Sequence, residues 1–281
     1  MSTKKVLICG GDSYTYPRPA WPGWPDHLCD MGQFDSFINV SMPGAGNDWI
    51  FNKVYDKINE YSCDPNNEIT VVVLWSDVQR LNFFDTTCRQ LTPEYYLIQE
   101  ISSLNIGRLK NMDDCPEELS ELSQIVMDAC RRRLDDPEQM YSNILTHAYR
   151  RMYLLEDYCK KMKIKYYSGC IFTMLNGDNI IRNIDRSFEV EDVIRLNPNN
   201  CPIRKGYKKD LEDSKSFMGF DFTVSDYIIQ EGLNISKENT HPNAEGCKAI
   251  ATLIHKFMND RIRPKLKNPI WKKGEDNYVY D

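Results

Sequence analysis

The chain has 281 residues, of which 41% are hydrophobic and 27% charged, and its formal net charge is −6. This composition is typical of a folded globular protein and excludes a disordered, collagen-like or fibrous chain. The negative charge has the wrong sign for a protein that wraps nucleic acid. No apolar run approaches the roughly 18 residues that a membrane-spanning helix needs, and the apolar run after Lys4 and Lys5 is too short for a signal peptide.

Ten cysteines are scattered along the chain without a Cys-x-x-Cys pair or a cluster of histidines. Zinc sites use closely spaced ligand pairs, and disulfide frameworks belong mostly to small secreted domains. We therefore expect free thiols that pack as small hydrophobic side chains, and no metal.

The first third of the chain predicts alternating strands and helices. A strand over residues 5–9 ends in the Gly-Gly-Asp-Ser turn of residues 10–13, and a second strand covers residues 37–40. The helix that follows has Asn47 or Asp48 as its N-cap and an apolar face formed by Ile50, Val54 and Ile58. The all-apolar run 69–75 predicts a strand that helices cover on both faces.

The middle of the chain is mostly helical in pattern. Helices are expected over residues 93–104 and 116–134, and a third carries an apolar stripe formed by Tyr141, Leu145, Ala148, Met152, Leu155, Cys159 and Met162. A fourth strand follows at 163–168. Residues 85–137 exceed one crossover connection, so they are interpreted as a helical insertion. The alternation predicts a three-layer α/β/α, doubly wound, flavodoxin-like parallel sheet in a single domain over residues 1–281.

The last third begins with residues 176–222, which have little periodicity and are rich in polar residues, glycine and proline. Such a segment predicts a long loop or lid. A final helix is expected over residues 243–262, with Ile250, Ile254, Phe257 and Ile262 facing inward. Residues 263–281 are interpreted as a solvated tail, with a docking arm as the alternative.

Two short stretches at opposite ends of the chain carry side chains suited to nucleophilic catalysis. Ser13 lies on the turn after the first strand, where its hydroxyl would be exposed at the edge of the sheet. A serine needs a base to take its proton, and His241 is the best candidate. Glu238, three residues earlier, could bond the second ring nitrogen of that histidine. His27 is the alternative base.

These residues resemble the SGNH, or GDSL, hydrolase family. Its first block is Gly-Asp-Ser, here residues 11–13; its second is an Asn followed five residues later by a Gly, here Asn39 and Gly44; its last is Asp-x-x-His, here Glu238 and His241. The chain looks most like a divergent branch often found in phage and environmental genomes. The resemblance implies a catalytic triad of Ser13, His241 and Glu238, with the backbone N–H groups of Ser13 and Gly44 as an oxyanion hole.

The third block of the family, Gly-x-Asn-Asp, is altered. Here the sequence reads Trp-Ser-Asp-Val over residues 75–78, which puts Asp77 where an Asn side chain would donate to the oxyanion. Loss of one such donor costs roughly 10²–10³ in rate. Asn47 could supply a replacement amide, or it could cap the next helix.

Three further side chains, Asp12, Asp77 and Arg80, are candidate substrate contacts. Arg80 could clamp an anionic substrate, but pairing with Asp77 on a shared helix is the alternative. The two tryptophans near Ser13, Trp21 and Trp24, are expected to pack the turn rather than to stack on a sugar.

The resemblance implies a serine hydrolase that cleaves an ester through an acyl-enzyme, with small acyl groups on carbohydrate or simple esters as substrates. No cofactor, nucleic acid or membrane partner is expected, and the expected location is the cytoplasm or a virion. The main alternative is a catalytically impaired binding or virion-structural protein on the same fold. A nucleotide-binding protein is disfavoured because no phosphate-binding motif follows the first strand.

Overall fold

The structure is a computed structural model that describes residues 3–78, 80–81, 104–105, 137–172, 202–237 and 239–267. Within these ranges the strands are β1 (Lys4–Gly10), β2 (Ser36–Asn39), β3 (Asn67–Trp75), β4 (Arg80–Leu81), β5 (Leu104–Asn105) and β6 (Lys165–Cys170). The helices are α1 (Trp24–Gly32), α2 (Asn47–Ser62), α3 (Pro137–Lys161), α4 (Pro202–Asp213), α5 (Val224–Gln230) and α6 (Ala244–Asp260).

The main sheet has the order β2-β1-β3-β6, and all of its strands are parallel. This is the order in which the first four strands of a flavodoxin-like sheet are arranged, and its switch point lies between β1 and β3. Parallel bridges from Ser168 to Phe217 and from Cys170 to Thr223 place residues 217–223 along the outer edge of β6. The expected three-layer α/β/α fold is confirmed.

Helices cover both faces of the sheet because the strand residues alternate in direction. Val6 and Ile8 of β1 pack with α2 and α3 on one face. Leu7 and Cys9 pack with α1, α5 and α6 on the other. In β3 every residue from 70 to 75 is at most 3% exposed, which agrees with the all-apolar run in the sequence.

The three helices with a clear apolar stripe are close to their predicted positions. The predicted inward residues of α2 are buried, as are those of α3 from Leu145 to Cys159 and three of the four in α6. Two predicted inward residues are exposed because they lie just beyond the end of their helix. Ile262 is 66% exposed, since α6 ends at Asp260, and Met162 is 45% exposed, since α3 ends at Lys161. The predicted N-cap of α2 was also wrong: Gly46 occupies that position.

Two helices were missed because they are short. In α1, Pro25 lies in the first turn, and the Asp26 carboxylate accepts a hydrogen bond of 2.9 Å from the N–H of Gly23. In α5, the Thr223 hydroxyl accepts one from the N–H of Asp226. Both have polar residues that are typical of a helix N-terminus, but neither is long enough to show the 3.6-residue repeat of apolar residues that identifies a helix.

The expected loop over residues 176–222 is partly wrong, because residues 202–213 form α4. Ile203, Tyr207 and Leu211 recur at four-residue spacing between charged residues, and Leu211 is buried in the core that α3 also lines. The guanidinium of Arg263 donates to the carbonyls of Glu212 and Ser214 at the C-terminal end of this helix. Residues 173–201, the tail from 268 onward and most of the expected insertion lie outside the described residues.

Six cysteines lie in the described ranges, and all of them are free thiols. Burial raises the pKa of Cys159 to about 12, which makes this thiol unreactive near neutral pH. None of the described helices combines the length and apolar character needed to cross a membrane.

Candidate active site

Ser13 lies in a tight turn directly after β1, at the carboxyl edge of the sheet. The carbonyl of Asp12 accepts a hydrogen bond of 2.9 Å from the N–H of Thr15, which closes the turn. A Cβ atom on Gly11 would overlap the Thr15 side chain and lie 3.2 Å from the Leu74 carbonyl oxygen. Only glycine therefore allows the chain to leave β1 in this direction.

The Asp12 carboxylate is fully buried beneath the turn. It accepts a hydrogen bond of 2.9 Å from the N–H of Tyr14 and one of 2.7 Å from the hydroxyl of Ser76, which follows β3. A buried carboxylate cannot contact substrate, so the expectation that Asp12 does so was wrong. It instead ties the Ser13 turn to the end of the neighbouring strand.

Asn39, the last residue of β2, ties the second loop to the same turn. Its side-chain N–H donates to the carbonyl oxygen of Thr15 over 2.9 Å. Its Oδ1 accepts from the backbone N–H and the hydroxyl of Ser41. The loops after β1 and β2 are therefore held together by one amide side chain.

The loop after β2, which carries Gly44, lies against the turn that carries Ser13. The N–H of Met42 in this loop donates to the carbonyl of Gly11 over 3.3 Å. Gly44, in the same loop, has a φ of 77°, which glycine adopts without strain. In the described ranges, the N–H groups of Ser13 and Gly44 donate to no protein acceptor.

The Asn47 amide anchors the end of β3 and does not cap α2. It forms a two-point contact with the backbone of Ser76, donating over 3.2 Å to the carbonyl and accepting over 2.9 Å from the N–H. Asn47 is 6% exposed and follows the N-cap of α2. It therefore holds the end of β3 in place and does not cap its helix, while the predicted contact with an oxyanion stays a prediction.

Asp77 follows this anchored residue and is half-buried. The helix that Asp77 and Arg80 were expected to share does not exist, because Arg80 begins β4, which pairs with β5. Extended backbone does not bring residues three apart onto one face. The Arg80 side chain lies outside the described residues, so its expected contact with substrate stays a prediction.

His241 is carried by a hairpin that leads into α6. The N–H of Asn243 donates to the Leu233 carbonyl and that of Ile235 to the His241 carbonyl, each over 2.9 Å. The imidazole Nε2 lies 2.8 Å from Ser13 Oγ, although 228 positions separate the two residues. The predicted nucleophile and base therefore meet at hydrogen-bond distance.

The alternative base, His27, lies in α1, and Ser13 pairs with His241 instead. The tryptophan prediction holds for Trp24, which is fully buried and donates from its Nε1 to the Thr15 hydroxyl over 3.3 Å. Trp21 is half-buried and packs against the same apolar cluster as Trp24.

The second ring nitrogen of His241 contacts a residue that the sequence did not single out. Nδ1 lies 2.8 Å from Asn239 Oδ1, and the backbone N–H of His241 points to the same oxygen over 3.3 Å. Asparagine side chains often bond the backbone two residues later, so the Asn-x-His spacing was an available signal. Glu238 lies outside the described residues, and its role in the triad stays a prediction.

Tyr14 joins the serine turn to the histidine hairpin and was also missed. Its ring centroid lies 5.0 Å from that of His241. Its phenol oxygen lies 3.0 Å from the Thr240 carbonyl, to which it can donate, and 3.1 Å from the Ser225 hydroxyl. The tyrosine is 3% exposed and fixes the distance between the two loops that carry Ser13 and His241.

Comparison with known proteins adds nothing to this geometry: no protein-family model matches the chain, and no curated protein matches it. The resemblance to the SGNH hydrolases therefore depends on the quoted motifs alone. Across the described residues, no three His, Cys, Asp or Glu side chains are grouped so that they could hold a metal ion.

Proposed function

We propose that this protein is a serine hydrolase that cleaves esters, with Ser13 as nucleophile and His241 as general base. The observation that carries the proposal is the 2.8 Å contact between Ser13 Oγ and His241 Nε2 at the carboxyl edge of a parallel sheet. A serine hydroxyl is a weak nucleophile, and a neutral imidazole at this distance can remove its proton as attack begins.

In the acylation half-reaction, Ser13 Oγ forms a bond to the ester carbonyl carbon while its proton passes to His241 Nε2. The carbonyl oxygen becomes an oxyanion, which the N–H groups of Ser13 and Gly44 would stabilise. The tetrahedral intermediate collapses, the bond to the leaving alcohol breaks, and His241 returns the proton to that alcohol. Ser13 is left as an acyl ester.

Deacylation repeats these steps with water in place of the hydroxyl. His241 takes a proton from the water, the hydroxide attacks the acyl carbon, and Ser13 Oγ leaves with the proton held by His241. The products are a carboxylic acid and free enzyme. Every proton is exchanged between the imidazole and a reacting oxygen, so this sequence requires no cofactor.

Small acyl groups on carbohydrate, or simple esters, are the substrates that the family resemblance favours. Asp77 should lower the rate of such a reaction. A carboxylate at the expected Asn position donates no hydrogen bond to an oxyanion. The two backbone donors would then provide the stabilisation without a side-chain amide. We expect a slow esterase compared with one that has all three donors.

Labelling with a fluorophosphonate, followed by intact-mass measurement, tests the proposal. The wild type should gain a single adduct, and Ser13→Ala should gain none. Tyr16→Phe is a matched control, because Tyr16 lies in the same segment and is 45% exposed; it should label as the wild type does. A screen of acyl esters against the unlabelled wild type, with Ser13→Ala as the inactive control, would then define the acyl group.

A folded wild-type protein that gains no adduct would refute the proposal. That result would favour the alternative expected from the altered third block, a binding or virion-structural protein that kept the fold. An adduct of equal yield on Ser13→Ala would likewise refute the assignment of the nucleophile.

A further inference from the structure

We propose that Asn239 is the positioning residue for His241, and that its neutral amide holds the imidazole in the tautomer with its proton on Nδ1. The catalytic meaning of this inference rests on the proposed function, but the tautomer itself does not. The evidence is that Asn239 Oδ1 lies 2.8 Å from Nδ1 and also faces the backbone N–H of His241.

The orientation of the amide follows from the second of these contacts. A backbone N–H can only donate, so the Asn239 atom facing it must be the carbonyl oxygen rather than the NH₂ group. The same oxygen faces Nδ1, which must therefore donate and carry the proton. A neutral imidazole has one N–H, so Nε2 is left with a lone pair directed at Ser13 Oγ.

Backbone hydrogen bonds hold Asn239 in position beside His241. Its backbone N–H donates to the Ser236 hydroxyl over 3.1 Å, and its carbonyl accepts from the N–H of Ser236 over 3.2 Å. The hairpin that carries both residues is closed further along by the bonds of Ile235 and Asn243. Asn239 is thus fixed relative to His241 by the backbone.

An asparagine can either support or disable such a site, depending on which end of the amide meets the ring. In a serine protease whose triad Asp is changed to Asn, the wrong tautomer is held and kcat falls by about 10⁴. Here the backbone N–H of His241 excludes that orientation. A neutral amide still differs from a carboxylate in one respect: it adds no negative charge to favour the imidazolium.

The tautomer can be measured without any substrate. The chain has only four histidines, so long-range ¹H–¹⁵N NMR spectra can be assigned with a His241→Gln variant. We expect the Nδ1–H tautomer at His241 in the wild type and its loss in Asn239→Ala. Lys237→Ala is the matched control, because Lys237 is an exposed neighbour in the same hairpin; it should retain the wild-type spectrum.

Kinetics of fluorophosphonate labelling give a second readout. Asn239→Ala should label Ser13 about 10- to 100-fold more slowly, by analogy with the loss found when the partner that orients a metal-bound histidine is removed. Asn239→Asp keeps the shape but adds a charge, which favours the imidazolium. Because the base must be neutral to act, the pH below which the labelling rate falls should be higher in this variant. Above that pH the variant should label at a rate near that of the wild type.

An Nε2–H tautomer in the wild type, or an unchanged tautomer in Asn239→Ala, would overturn the inference. It would also be overturned if Glu238→Gln changed the tautomer and Asn239→Ala did not. If instead the wild type has an Asn239-dependent Nδ1–H tautomer but is never labelled, the positioning role is supported and the proposed hydrolase function fails. The same samples therefore test the positioning role of Asn239 and the hydrolase function separately.

Discussion

Replacing Tyr14 with phenylalanine isolates the contact that joins the two halves of the site. The change removes only the phenol oxygen, which lies 3.0 Å from the Thr240 carbonyl and 3.1 Å from the Ser225 hydroxyl. The ring that packs 5.0 Å from the imidazole of His241 remains. The variant therefore tests whether the hydrogen bonds, rather than ring packing, hold the hairpin against the serine turn.

The expected cost can be estimated from these contacts. One net hydrogen bond contributes about 1 kcal/mol, and a buried acceptor left without a donor costs about 1–3 kcal/mol. Since the Thr240 contact is only partly buried, we expect a total of about 1–2 kcal/mol. For a chain of this size that corresponds to a fall in Tm of roughly 2–4 °C.

The effect on reactivity should be larger than the effect on stability. A displacement of about 1 Å between reacting groups can cost 10²-fold in rate, so Ser13 labelling by a fluorophosphonate should slow at least about tenfold. Thermal unfolding and labelling rate are measured on the same samples, with Tyr16→Phe as control. If Tyr14→Phe keeps both the Tm and the labelling rate of the wild type, the tyrosine does not hold the site together.

Three further changes test other parts of the argument. Asp77→Asn should accelerate ester hydrolysis by up to about 10²–10³, because it restores a side-chain donor; an unchanged rate would mean that the backbone donors act alone. Gly11→Ala should destabilise the fold by more than about 2 kcal/mol in denaturant titrations, because a Cβ there overlaps the Thr15 side chain; a wild-type midpoint would contradict this. Burial raises the pKa of Glu156, which accepts from the Ser214 hydroxyl. That carboxyl therefore makes the folded state less stable as pH rises from its unfolded pKa through its folded value, and Glu156→Gln should remove this part of the pH dependence measured between pH 4 and pH 8.

Several strands and helices could be predicted from local sequence patterns. The apolar run of β3 is a contiguous pattern, and the stripes of α2 and α3 repeat at helical spacing over many residues. Such long patterns predict burial reliably because each residue adds evidence for the same face. The short helices α1 and α5 and the polar α4 were missed because two or three apolar residues are too few to establish a period.

The residue types for nucleophilic catalysis were also readable, because each motif is local. Gly11, Asp12 and Ser13 form one short block, and His241 belongs to another. The sequence, however, assigned Asp12 to the substrate, whereas the folded chain buries it against Ser76. Whether this carboxylate faces solvent or a neighbouring loop depends on which strand lies beside β1 in the sheet.

The sequence alone determined the fold class and the two residues that were expected to react, because these are expressed in contiguous patterns of polarity and residue type. The tertiary structure decided which polar side chains support them. Tyr14 meets Thr240 across 226 positions of sequence, and Asn47 meets Ser76 across 29. Such contacts depend on which loops the parallel strands bring together at their carboxyl ends. A local sequence pattern does not contain that information.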